Sequence, residues 1–221
     1  MALFPSPDTP AYRAWSAAAD IVIVNLLTLA GCLPLVSAGA ALTACARTTG
    51  EMAAGEDPHV LRTWWRSFRA NLRQSLAWWP PVAMLLALGA WEYRVLGSAG
   101  TDNATASAVS GLVLAGELLL VAVLIWLAPL TAFFEAPVRR HVANAVRLAL
   151  GRLTHTATCL GIVCLPLLVL RLLPALRAEA AWFMVLLGPA FLAYLMALVQ
   201  HGTIARLRGT SQTSHGRRPT S

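Results

Sequence analysis

The sequence predicts an all-α membrane protein: a helical bundle of five transmembrane helices, or six membrane-embedded helices if the chain breaks at Pro34, plus an amphipathic interfacial helix. Three observations carry this. Hydrophobic residues fill 57% of the 221 positions and charged residues only 12%, about half the charge with which a soluble domain coats its surface. Five apolar runs, 20–46, 76–96, 108–134, 156–174 and 180–200, match the ~20 residues a helix needs to cross a ~30 Å hydrocarbon layer. The connections between them differ in charge. Arg47, Arg62, Arg66, Arg69 and Arg73 fall in 47–75, Arg139, Arg140, Arg147 and Arg152 in 135–155, and Arg206, Arg208, Arg217 and Arg218 after 200. The alternate segments 97–107 and 171–179 hold only Arg171 and Arg177. Positive-inside preference puts the three Arg-rich segments and the C-terminus in the cytoplasm.

The first run contains "GCLPLVSAGAAL", in which a proline, two glycines and a serine interrupt the apolar pattern. Pro34 lacks the amide proton of an interior helix position, and its ring clashes one turn back. A single span over 20–46 gives five helices with the N-terminus outside; a turn at Pro34 gives six with the N-terminus inside. The small residues after Pro34 suit close helix contact better than lipid. Asp20 favours the second arrangement, since it then lies near the Arg-rich segments that neutralise it. Asn25 is expected to hydrogen-bond across helices. Ala38-Gly39-Ala40 has the form of a leader cleavage site, but only Arg13 precedes the apolar stretch, so the first run is expected to be retained.

Segment 60–75 follows, with Leu61, Trp64, Trp65, Phe68 and Leu72 at helical spacing and Arg62, Arg66, Arg69 and Arg73 on a neighbouring face. Trp-rich and Arg-rich faces predict a helix lying in the headgroup layer, its guanidiniums against anionic lipid. Within the later runs Glu117 stands out, because a buried ionisable group in a membrane is costly; a structural pair with Arg94 is the expected solution. Residues 1–200 read as one helical membrane domain, and 201–221 as a polar, disordered cytoplasmic tail.

Catalytic chemistry has no visible constellation. Cys32, Cys45, Cys159 and Cys164 lie in or beside apolar runs without paired metal spacing, and no two His stand at ligand spacing. No cofactor is expected and the protein reads as no enzyme. The net charge of +7 is spread between apolar runs rather than gathered on a polar domain, which excludes nucleic acid as a partner.

The order of short motifs resembles the YesL family of bacterial membrane proteins. Asp20, "NLL" at 25–27, Leu33-Pro34 and "SAGAAL" from Ser37 to Leu42 are similar to its N-terminal signature, and Gly55-Glu56 to the turn that follows. "WWRSFRANLRQS" from Trp64 to Ser75 resembles the family's aromatic-basic stretch; Pro129-Leu130, Phe134-Glu135 and Asn144-Ala145 resemble a later one. The resemblance covers about 12–155 and thins beyond into generic hydrophobicity; "TACARTTGEMAAG" is shorter and less aromatic than its family counterpart. It implies a multi-pass protein of the bacterial cell membrane, of uncharacterised biochemistry, whose relatives are encoded near carbohydrate uptake and degradation genes. The function expected on that basis is a non-enzymatic accessory of a carbohydrate uptake system, with transporter subunits as partners. The competing expectation is a small-solute transporter or channel in its own right.

Overall fold

The computed structural model describes residues 9–56, 58–98 and 104–215, and in it the first apolar run is two helices. Helix α1 (Pro10–Cys32) stops at Leu33, Pro34 is extended, a 3₁₀ turn covers Leu35–Ser37, and α2 (Ala38–Ala53) follows. Side chains and neighbouring amides take up several carbonyls at the break. The Ala30 carbonyl, which Pro34 cannot serve, accepts from the Leu33 amide at 3.3 Å. The Gly31 carbonyl accepts the Ser37 hydroxyl at 2.8 Å, and the Leu35 carbonyl accepts the Trp79 indole N–H at 2.7 Å. Freed carbonyls are tolerated at membrane depth only when protein groups take them up in this way.

Helix α2 folds back on α1 and occupies the middle of the bundle, touching α1, α3, α4 and α8. Ten of its 16 residues are buried, nearly all of them small. At ~24 Å it is too short to span a bilayer unaided; its alanines favour the helix, and packing holds it in place. Small side chains let large neighbours approach. A Cβ on Gly39 would lie 2.6 Å from the Cβ of Trp79, and one on Gly50 would lie 2.7 Å from the Phe133 ring. The hydroxyls of Thr43, Thr48 and Thr49 donate back to the carbonyls of Gly39, Ala44 and Cys45, so these polar groups are buried without cost to the packing. The helix closes on Gly55 at φ +74°, with Gly55 N–H to Met52 O and Glu56 N–H to Glu51 O, both 3.0 Å. This is the Schellman closure, which favours glycine at the left-handed position.

Helix α3 (Val60–Ser98) joins the basic segment to the second apolar run as one helix of 39 residues, across Pro80 and Pro81. The expected separate interfacial helix at 60–75 is therefore corrected: that segment is the first half of α3 and packs against α2. After it come α4 (Ala104–Phe133), α5 (Val138–Gly151), α6 (Leu153–Leu172), α7 (Arg177–Leu186) and α8 (Gly188–His215). The run 180–200, read as one span, is interrupted at Leu187 between α7 and α8. Residues 201–215 continue α8, and 216–221 lie outside the described residues.

Two clusters form the core. Ile21, Val24, Ala44, Cys45, Trp64 and Ala190 build one where α1, α2, α3 and α8 meet; Trp78, Trp126, Leu130, Ala145, Ala149 and Cys159 build the other among α3, α4, α5 and α6. Each contains a buried indole satisfied by the same relay. Trp64 Nε1 donates to Thr28 Oγ1 at 3.2 Å, which donates to Val24 O at 2.7 Å. Trp126 Nε1 donates to Thr156 Oγ1 at 2.9 Å, which donates to Ala149 O at 3.0 Å. Among the described residues every regular element is a helix, and four stretches are long and apolar enough to cross a membrane: Ala14–Cys32, Ser107–Phe133, Leu153–Leu172 and Gly188–Gly209.

Candidate functional site

The first half of α3 has three faces where the sequence shows two. Val60, Thr63, Trp64, Ser67, Ser75 and Trp78 form a buried face against α1, α2 and, at Trp78, α4. Leu61, Trp65 and Leu76 form an exposed apolar face, and Arg62, Arg66, Arg69 and Arg73 an exposed basic one. Trp64 is 2% exposed and Trp65 53%, so one aromatic pair serves core and surroundings separately. The Arg69 guanidinium lies 5.6 Å from the Trp65 ring centre, a cation–π contact.

Helix α5 repeats this plan. His141, Ala145 and Ala149 face the core; Val142, Val146 and Leu150 are exposed; Arg139, Arg140 and Arg147 are exposed beside them. It is the element whose faces fit an interfacial helix, starting after Pro137 and ending at Gly151. Glu135 is exposed in the connector before it, and Asn144 is half-buried at the edge of its basic face. Gln74 ties α3 to this connector through the Ala136 carbonyl at 3.0 Å.

The C-terminal ends of α2 and α4 and the last turns of α8 meet at the same end of the bundle around Phe133. Arg47 lies 4.6 Å and Arg208 5.2 Å from the ring centre. Arg47 is held by Glu51 (2.5 Å) and the Ala132 carbonyl (3.0 Å), while Arg208 reaches the exposed Glu56 at 3.4 Å. Among the described residues Arg62, Arg66, Arg73, Arg139, Arg140 and Arg147 form no ion pair, so this end presents uncompensated positive charge.

His141 is buried beneath α5, bonded to the Ala136 carbonyl but with Nε2 unpartnered. Burial pushes its imidazole below the ordinary 6.5. The folded state thus resists a proton that the unfolded chain accepts. Its contribution to stability is present above pH 6.5 and is lost as pH falls below it. Melting temperature is expected to drop between pH 7.5 and 5.5, and His141→Gln to flatten that drop.

At the opposite end of the bundle, Gly89, Tyr93, Arg94, Leu114, Glu117 and Arg171 line a cavity of about 720 Å³ between α3, α4 and α6. The Glu117 carboxylate rests on Gly89, where a Cβ would meet Oε1 at 2.0 Å. The expected Glu117–Arg94 pair is corrected: both residues border the cavity, but no ion pair joins them among the described residues. Glu117 is half-buried, its carboxylate packed on the bare Cα of Gly89.

Asn25 is fully buried and bridges the α7–α8 interruption. Its Nδ2 donates to the Val185 carbonyl at 2.8 Å and its Oδ1 accepts the Ala190 amide at 3.1 Å. One side chain thus takes up an orphan acceptor at the end of α7 and an orphan donor in the first turn of α8. Asp20 is half-buried one turn earlier on α1, and Pro34 is exposed at the break. The buried small-polar face of α3 is what sequence reasoning misses; its signal is Thr63, Ser67, Asn71 and Ser75 at a four-residue repeat.

No curated protein and no solved structure matches the chain. Residues 21–93, which hold most of α1, the Pro34 break, α2 and most of α3, are similar to a family described as "Protein of unknown function, DUF624".

Proposed function

We propose that the chain is a non-enzymatic accessory protein of a bacterial cell membrane, related to the YesL family, that docks a subunit of a carbohydrate uptake system at its Arg-rich end. The observation that carries this reading is the exposed, unpaired Arg row of α3 standing beside that of α5 on a rigidly packed base. Positive charge on fixed helices steers and orients an acidic partner surface. In this reading the Arg-rich end and the C-terminus face the cytoplasm by positive-inside preference. The N-terminus lies on the same side, with α2 and the second half of α3 completing six membrane-embedded helices. Anionic headgroups contact the basic face of α5 and acyl chains its apolar face.

Affinity capture from native membranes is expected to return a transporter subunit, and replacing Arg62, Arg66, Arg69 and Arg73 by Gln to lose it while membrane insertion persists. Capture of no transporter subunit, with sugar uptake unchanged on deletion of the protein, would count against the reading.

The cavity bordered by Glu117, Arg94 and Arg171 favours a second reading, a small-solute transporter. Such a path needs polar groups through the bundle. Asn25 and the α2 hydroxyls, the obvious supply, are already bonded to backbone carbonyls and an amide. Solute uptake by the purified protein in liposomes, abolished by Glu117→Ala, would establish this reading over the first.

A further inference from the structure

We infer that the groove between α2, α4 and α8 is a binding site for one acyl chain of an anionic phospholipid, with the lipid phosphate at Arg208. The groove has a volume of about 290 Å³. Its floor is the face of α2 carrying Leu42, Ala46 and Gly50, and Leu124 and Met196 are among the side chains of its walls. The hydroxyls of α2 donate into their own backbone, which leaves the floor without free polar groups.

Length and polarity agree on how a lipid lies there. The apolar part of the lining along α8, from Pro189 to Ala197, covers ~12 Å of helix, within the depth of one leaflet, and the lining goes on past Ile204 to Arg208. Gln200 and His201 interrupt the apolar lining, and Arg208 closes it about two turns further on, at the charged end of the bundle. The Arg208 guanidinium is held over Phe133, itself part of the lining, and its carboxylate contact is the exposed Glu56 at 3.4 Å. A phosphate there gains a guanidinium whose present partner is long and solvated. Arg47, on the same ring, is already engaged by Glu51 and a carbonyl, so the site offers one positive charge and suits a singly charged head.

The test is native mass spectrometry of the full chain released from bilayers of equal phosphatidylglycerol and phosphatidylcholine. The wild type is expected to retain one phosphatidylglycerol, about fivefold over phosphatidylcholine, the preference expected of one surface Arg. Arg208→Gln should bring the two lipids to parity. Ala46→Phe, which fills the floor, should remove retained lipid of both kinds; Ala197→Phe fills the groove from α8 and gives the same reading if the first variant does not fold. Equal retention of the two lipids by the wild type, or unchanged retention after either filling substitution, overturns the inference.

Discussion

Replacing Asn25 by Leu is expected to destabilise the bundle by about 3 kcal/mol, because two backbone groups lose their partner at once and each buried unpaired group costs about 1–3 kcal/mol. Ordinary cross-helix hydrogen bonds in membranes are worth only about 0.6 kcal/mol, since the separated helices find other partners. The Asn25 bonds differ. Val185 O and Ala190 N–H flank the helix interruption at Leu187, where the regular ladder offers neither of them a substitute. Lipid offers none either. Asn25→Asp should fall between, because a carboxylate still accepts from Ala190 but cannot donate to Val185. Unfolding in graded denaturing detergent measures the loss. Hydrogen exchange should rise across 183–192 before it rises in α2; uniform exchange throughout the bundle would contradict the clamp.

The places where sequence and structure part company share a physical cause. Pro34 announces its break because proline removes a donor and blocks a turn, effects that do not depend on neighbours. The cross-helix role of Asn25 is also legible, since an amide in an apolar run needs partners. The buried face of α3 is not. The sequence shows one Trp-rich and one Arg-rich face, and the structure adds a third on which Thr63, Ser67 and Ser75 are buried beside Trp64 while Leu61, Trp65 and Leu76 stay exposed. In a membrane the apolar face has lipid to meet, so helix contact goes to small residues that permit close approach. Helix α5 hides for a related reason: its charges mark a connection between spans, although Val142, Val146 and Leu150 give it a second, apolar exposed face. The Leu187 interruption is written in Gly188-Pro189, which punctuates helices, but the even hydropathy of the run covers it.

Glu117 teaches the same lesson from the opposite side. Oppositely charged residues at matching depth suggest a pair, yet the Glu117 carboxylate packs on Gly89 instead, and a glycine in an apolar run carries no sign of which neighbour it admits. The Arg-rich end was legible as charge. Its organisation around Phe133 was not, since Arg47, Phe133 and Arg208 are distant in the chain and meet only because α2, α4 and α8 end together.

The largest effect is expected from Gly39→Leu, which should prevent the native bundle from assembling. The first added atom already lies 2.6 Å from Trp79 Cβ and 3.0 Å from Cγ, with Ser75 Cβ at 3.4 Å. These atoms sit at the root of their side chains and cannot swing away, so α2 and α3 must separate. Separation takes Trp79 from the Leu35 carbonyl and uncovers the break at Pro34. Overpacking of this kind costs about 1–3 kcal/mol per site and more where the backbone must move. Gly39→Ala gives a cleaner sign. Helix propensity alone favours Ala over Gly by about 1 kcal/mol, and at Gly111, where an added Cβ meets nothing within 4 Å, that gain should appear. At Gly39 the clash should outweigh it, so the same substitution raises stability on α4 and lowers it on α2. Equal gains at both positions would mean that α2 is not the central helix, and the buried small-residue face of α3 would then need another explanation.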